Sequence, residues 1–139
     1  MKIDVHHHYL PQAFLDNIEA LLPPEIEVKR AGTAITLIDR ADGYVYLRME
    51  PKTWSEVHAH LDDMDGAGID HAILSASCFQ DWMTLEAARV INDGTAALVR
   101  DHPMRFSGMI SIPPDGGTAM VEEIRRAHDG KVKRRTLSC

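Results

Sequence analysis

The stretch IDVHHHYLP, residues 3–11, alternates apolar and polar side chains and predicts a short β-strand over residues 2–8. Because side chains on a strand alternate between faces, His6 and His8 are expected to point one way and His7 the other. Two imidazoles on one face, two residues apart, can bind a single divalent metal ion, with zinc about 2.0–2.1 Å from each nitrogen. An expression tag does not fit, since the triplet continues a patterned strand. Ordinary strand-end histidines are the alternative that the spacing alone leaves open.

The rest of the chain alternates between helical and strand-like segments. The predicted elements are a helix over 12–22, a meander of hairpins over 26–50, a helix opened by a Thr53–Glu56 capping box, a strand over 69–75, a helix from Thr84 to near 102, a strand over 106–112, and a helix after Asp115 closed by Gly130. Strands separated by helices pair in parallel, with the helices as crossovers. The sequence therefore predicts an α/β fold with a parallel sheet and a β-meander insertion over 26–50.

The last nine residues, 131–139, read KVKRRTLSC and interrupt the alternation, because an apolar strand is expected after a helix. Three parallel strands on their own would leave sheet edges and helix faces uncovered. We therefore interpret the chain as cut short after three strands of a larger parallel sheet, with residues 131–139 as a basic tail. A solvated tail on a naturally short protein is the alternative.

Composition limits the classes of function. The 139 residues are 45% hydrophobic and 26% charged, which is typical of one globular domain. A net charge of -6, from 15 basic and 21 acidic residues, comes without the basic stripe of a nucleic-acid-binding protein. No apolar run reaches the roughly 18 residues of a membrane span, and no signal-peptide pattern begins the chain. The two cysteines, Cys78 and Cys139, form no disulfide framework, so a cytoplasmic protein is expected.

The other candidate residues have structural interpretations. Asp4 is expected on the face of the histidine pair, about 6–7 Å further down the strand. His58 and His60 are expected to be solvated on their helix. A nucleophilic role for Cys78 lacks a recognisable activating base. The remaining candidates are His71 at the far end of its strand, His102 and His128 at helix C-termini, and Ser75, Ser77 and Trp82 as pocket-lining or packing residues.

Several stretches resemble one enzyme family. IDVHHHYLP is similar to the opening of the amidohydrolase superfamily, in which a strand ending in His-x-His begins a (β/α)8 barrel. LDDMDGAGIDHAILS (61–75), INDGTAALVRDHPMRFSGMISIPP (91–114) and AMVEEIRRA (119–127) are similar to its amidohydrolase-related branch, the aminocarboxymuconate semialdehyde decarboxylases and γ-resorcylate decarboxylases. The resemblance covers residues 1–130 and implies the N-terminal part of a TIM barrel, about three β/α units.

The resemblance also implies a site and a reaction. His6 and His8 match the first two ligands of a divalent metal ion, zinc being the expected one, and Arg48 lies near an arginine that binds a substrate carboxylate. The family's other ligands lie beyond the end of this chain. The implied function is a decarboxylase or hydrolase acting on a small unsaturated or aromatic carboxylic acid. An inactive fragment, or a small metal-binding module that forms a homo-oligomer, is the alternative.

Overall fold

The computed structural model describes residues 1–76, 82–114 and 116–131 and has a mixed α/β fold with two three-stranded sheets. The elements in chain order are β1 (Ile3–His8), α1 (Gln12–Asp16), α2 (Ile18–Leu21), β2 (Ile26–Ala31), β3 (Ala34–Asp39), β4 (Val45–Met49), α3 (Pro51–Ser55), α4 (Val57–Ala67), β5 (His71–Ser75), α5 (Leu85–Asp101), β6 (Phe106–Gly108) and α6 (Gly117–Lys131).

The first sheet is parallel, as predicted, with the strand order β1-β5-β6. Its inner face carries Ala72, Leu74 and Phe106, which are fully buried in one apolar cluster with Met64 of α4 and Leu98 of α5. The helices between the strands therefore cover this face, which fixes β1 beside β5 and places the ends of both strands at the same edge of the sheet.

The predicted meander is confirmed as the second sheet, which is antiparallel with the order β2-β3-β4. Ile35, Leu37 and Met49 form its buried face. They join the larger apolar cluster. Its other buried members come from the segments after β1 and β5, from α1, α2 and the residue after α2, from β2, and from the start of α5 and the loop before it: Leu10, Phe14, Leu15, Ile18, Leu21, Leu22, Ile26, Ala76, Met83, Ala87, Ala88 and Ile91. The meander thus packs near the carboxyl ends of the parallel strands.

Four predictions about the elements need correction. The helix over 12–22 is two short helices separated at Asn17, whose side-chain amide donates to the Ala13 carbonyl. The capping box is wrong: Thr53 lies inside α3 and its hydroxyl donates to the Glu50 carbonyl, while Glu56 precedes α4 without a side-chain cap. The strand over 106–112 ends at Gly108, and the last helix extends past Gly130.

The start of α5 is confirmed at Thr84. The Thr84 hydroxyl accepts from the Ala87 amide at 3.0 Å and donates to the Leu21 carbonyl at 2.7 Å, so it caps α5 and ties it to the end of α2. We expect Thr84→Ala to lower the free energy of unfolding by about 1–2 kcal/mol, as loss of a helix N-cap does. Thr84→Ser, which keeps the hydroxyl, is the control in urea titrations. Equal stability of the two variants would contradict the capping role.

Some predictions fall outside the described residues, namely those for Ser77 and Cys78 and for the tail after Lys131. Over residues 1–76, 82–114 and 116–131, no helix is both long enough and apolar enough to cross a membrane.

Candidate metal centre

The site begins with an irregularity in β1. Ile3 and Asp4 pair with His71 and Ala72 of β5, but the register then shifts so that His7 pairs with Leu74 and His8 with Ser75. Val5 and His6 together therefore oppose the single residue Ile73, which is the definition of a β-bulge. The extra residue does not leave a backbone donor free, because the His6 amide donates to Asp4 Oδ1 at 3.0 Å.

Beyond the bulge, His6 and His8 meet on one side of the strand, as predicted. Their Nε2 atoms are 3.2 Å apart and the ring centroids are 4.7 Å apart. Two nitrogens bound about 2.0–2.1 Å from a tetrahedral zinc ion would lie about 3.3–3.4 Å from each other. The observed separation therefore fits one edge of a zinc coordination tetrahedron, and the donor type fits zinc as well.

The surroundings of His8 orient its ring and favour its neutral form. The Trp54 indole stacks on the imidazole, with centroids 5.3 Å apart and an interplanar angle of 8°, and the Ser75 hydroxyl lies 3.5 Å from Nδ1. Burial lowers the pKa of His8, and the neighbouring His6 lowers it further. A metal ligand has to be unprotonated, so these contacts prepare the His8 Nε2 lone pair for a cation.

Two predictions about neighbouring residues are wrong. Asp4 does not share the face of the pair: because of the bulge it lies with His7, and its Oδ2 is 3.0 Å from His7 Nδ1. His60 is not solvated but 7% exposed, and its Nδ1 lies 2.8 Å from His7 Nε2. Asp4, His7 and His60 therefore form a hydrogen-bonded row behind the strand.

The electrostatics of this row follow from its contacts. Hydrogen bonds from the His6 amide and from His7 lower the pKa of Asp4, which keeps the carboxylate ionised as an acceptor. Burial lowers the pKa of His60. Within the described part of the chain, His60 Nε2 is a buried side-chain atom that has no hydrogen-bond partner. The contacts of His7 with Asp4 and with His60 fix the position of its ring, and with it the backbone between His6 and His8.

The other predicted residues lie away from the pair. Arg48 is exposed on β4, opposite Thr36, and within the described ranges it forms no hydrogen bond or ion pair with His6 or His8. Its substrate role stays a prediction. His71 is confirmed at the far end of β5, with Nε2 2.9 Å from the Ser107 hydroxyl. His58 is exposed on α4, His102 is the C-cap of α5, and His128 is exposed on the penultimate turn of α6.

The pair is an incomplete ligand set. Among the residues that the structure describes, no group of three or more histidine, cysteine, aspartate or glutamate side chains is placed to hold a metal ion. Zinc takes four ligands in structural sites, and three from protein in catalytic ones. His6 and His8 therefore fit zinc by donor chemistry and spacing, and they supply two of the nitrogens that it needs.

The chain is similar to a known decarboxylase over most of its length. No family model matches the chain. It is 23% identical to the 2-amino-3-carboxymuconate-6-semialdehyde decarboxylase of Dictyostelium discoideum in an alignment of 141 positions, gaps included, that covers 91% of this chain and 36% of that enzyme. The chain thus spans little more than a third of the curated relative that it matches.

Solved structures share the fold. The structure of an amidohydrolase II superposes with a TM-score of 0.59 at 18% identity, over 93% of this chain and 37% of that one. The 4-oxalomesaconate hydratase of Rhodopseudomonas palustris gives a TM-score of 0.56 at 19% identity, over 94% of this chain and 40% of that one. The chain is thus similar in sequence to about a third of a decarboxylase, and it shares its fold with about two fifths of solved amidohydrolase and hydratase structures.

Proposed function

We propose that residues 1–130 are the N-terminal part of a metal-dependent (β/α)8 barrel enzyme, with residues 131–139 as a basic tail outside it. The observation that carries the proposal is the convergence of His6 Nε2 and His8 Nε2 at 3.2 Å, at the carboxyl end of a parallel strand. Barrel enzymes hold their chemistry at that end of their strands. The likeness to a decarboxylase and to amidohydrolase structures supports the same assignment.

The proposed reaction is decarboxylation or hydrolysis of a small unsaturated or aromatic carboxylic acid. His6 and His8 would hold a divalent ion, zinc by their donor chemistry, which when bound polarises a substrate oxygen or acidifies water. Trp54 and Ser75 keep the His8 ring in place, while the row through His7 holds the strand. Arg48, an exposed guanidinium on β4, is the proposed partner for the substrate carboxylate, since its planar fork matches a carboxylate.

Zinc titration tests the metal assignment. We expect zinc to bind the purified chain, and His6→Ala and His8→Ala each to weaken binding by roughly 10–100-fold or more, since loss of a ligand costs at least as much as loss of its orienting partner. His58→Ala, which removes an exposed histidine from α4, is the matched control and should leave the affinity unchanged. Isothermal titration calorimetry gives all four affinities. Unchanged zinc affinity in His6→Ala and His8→Ala would reject the site.

The reaction needs its own test. The zinc-loaded chain is incubated with a panel of unsaturated and aromatic carboxylic acids and esters, and release of carbon dioxide or of hydrolysis products is measured. Turnover that disappears in His6→Ala and persists in His58→Ala would support the enzyme. Zinc binding without turnover of any panel member would contradict catalysis by this chain and favour a metal-binding role.

A further inference from the structure

The backbone of His6 is held by a side chain. His6 lies in the bulge of β1, where the regular ladder with β5 is interrupted. Its amide donates to Asp4 Oδ1 at 3.0 Å. The direction in which the His6 imidazole leaves the strand therefore depends on the position of the Asp4 carboxylate.

The Asp4 carboxylate is held in turn by His7. An ionised carboxylate only accepts hydrogen bonds, so His7 Nδ1 donates to Asp4 Oδ2 across 3.0 Å. The second nitrogen of the same ring, His7 Nε2, lies 2.8 Å from His60 Nδ1. Because both ring nitrogens are engaged, the His7 imidazole cannot rotate or flip without breaking a hydrogen bond.

His60 is the member of this row that is fixed in the core. It lies on α4, one turn before the fully buried Met64, and is itself 7% exposed. The rings of His60 and His7 meet edge to face, with centroids 4.8 Å apart. Burying a polar ring costs free energy that burying a leucine would not cost. A histidine at this buried position is explained if its ring has a task in the row.

We propose that His60 is a positioning residue for the histidine pair, acting through the His7 ring and the Asp4 carboxylate on the backbone of His6. The inference rests on the proposed metal site, because it specifies what orients the first ligand of that site. Metal ligands are commonly oriented by hydrogen-bonding partners behind them. Here the partner acts on the ligand's backbone, from the covered side of the strand, so it occupies no coordination position that a substrate would need.

Zinc titration of the purified chain, with substitutions on α4, tests this role. His60→Leu removes the hydrogen bond but keeps a side chain in the core, and it should weaken zinc binding by roughly tenfold, the low end of the effect of losing an orienting partner. His60→Asn, whose amide can donate to or accept from His7 Nε2, should bind zinc more tightly than His60→Leu. His58→Leu, the same exchange at an exposed position two residues away, should leave the affinity unchanged.

A second control separates positioning from a general loss of stability. Thr84→Ala is expected to destabilise the fold at the start of α5, away from the row, and should leave zinc affinity unchanged at a temperature where circular dichroism shows each variant to be folded. An equal loss of zinc affinity in Thr84→Ala and His60→Leu would overturn the positioning role. Equal affinities of His60→Asn and His60→Leu would overturn the hydrogen bond as its cause.

Hydrogen exchange of the metal-free chain gives a measurement that does not depend on zinc. His60→Leu should speed exchange of the His6 amide by roughly tenfold or more, as loss of local protection does. The Ala72 amide, which donates to the Arg105 carbonyl at 2.8 Å, is the internal reference and should not change. An unchanged His6 amide in His60→Leu would overturn this proposal while leaving the metal site intact. A wild-type chain that binds no zinc would overturn the metal site, and faster exchange of the His6 amide would still show that the row holds His6.

Discussion

Replacing Glu123 by alanine is expected to lower the free energy of unfolding by about 2–3 kcal/mol, because it removes the buried acceptor of three hydrogen bonds, two from the half-exposed Arg126 and one from the buried Asn92. Glu123 is 1% exposed on α6. Its carboxylate accepts from Arg126 at 2.6 Å and 2.9 Å and from the Asn92 amide at 2.8 Å, and Arg89 lies 3.5 Å away. Without it, the amide and the two guanidinium groups lose a common acceptor, and α6 keeps the Arg126–Asp93 ion pair, at 2.8 Å, as a polar link to α5.

Chemical denaturation of Glu123→Ala, compared with a variant at the neighbouring residue Glu122, measures the contribution of the buried carboxylate. Glu122→Ala removes an exposed carboxylate from the same helix and should change stability by well under 1 kcal/mol. Glu123→Gln keeps the shape and the amide contact, and should be intermediate between alanine and wild type. If Glu123→Ala and Glu122→Ala had the same midpoint, the buried carboxylate would have no net stabilising role.

The same carboxylate makes stability depend on pH. Burial opposes ionisation of Glu123, but hydrogen bonds from Arg126 and Asn92 outweigh it, with help from the charge of Arg89, and lower its pKa below the ordinary 4.5. A lowered folded-state pKa adds stability that is fully present above about 4.5 and is lost as the pH falls through the folded value. Glu123→Gln should therefore flatten the acid limb of the stability profile below about pH 4.5, while Glu122→Ala should not.

Replacing Gly94 by alanine is expected to destabilise the protein by about 2–3 kcal/mol, although alanine is the better helix former. Gly94 lies inside α5, where an added Cβ would come within 2.3 Å of the Pro11 ring atoms Cβ and Cγ. Pro11 is buried just after the histidine strand, so the backbone of α5 approaches the start of α1 closely enough to exclude a methyl group.

Gly66 of α4 provides the matched control, because an added Cβ there meets nothing within 4 Å. Gly66→Ala should raise the free energy of unfolding by up to about 1 kcal/mol, the ordinary gain for this exchange in a helix. Thermal and urea unfolding of the two variants should move in opposite directions. A stabilised Gly94→Ala variant would show that α5 and Pro11 can separate at little cost.

The parallel sheet and the histidine pair could be predicted because their signals are local. Alternation along residues 2–8 places two residues two apart on one face, and the alternation of helices and strands dictates parallel pairing. The same rule failed for Asp4, because counting from Asp4 to His7 crosses the bulge and nothing in the residue types marks it. The bulge depends on the pairing of β1 with β5 and on the Asp4 side chain, which accepts a hydrogen bond from the His6 amide.

The burial of His60 could have been predicted. Val57, His60, Leu61 and Met64 follow the i, i+3, i+4, i+7 spacing of one helix face, and Met64 is buried. A histidine inside an apolar stripe is expected to be buried with a polar partner, and here that partner is His7. No sequence pattern predicts the stacking of Trp54 on His8, because this contact depends on the meander placing α3 beside the end of β1.

The segment after β6 shows how tertiary contacts shorten a predicted strand. FSGMISI is apolar and β-rich, yet the strand ends at Gly108. Beyond it, the Asn92 side chain accepts from the Ser111 amide at 2.7 Å and donates to the Ser111 carbonyl at 3.0 Å. A helix side chain thus supplies the two bonds that a neighbouring strand would otherwise make, and residue pattern alone does not distinguish these partners.

The bulge in β1 also affects how the sequence of this strand should be aligned with related sequences of different length. Two residues, Val5 and His6, stand where a regular strand would have one. Deletion of Val5 would restore plain alternation and leave His6, His7 and His8 facing as they do now. The strand can therefore lose this one residue without turning the histidines to the other face. An alignment gap at this point should therefore not be taken as evidence that the histidine pair has been lost.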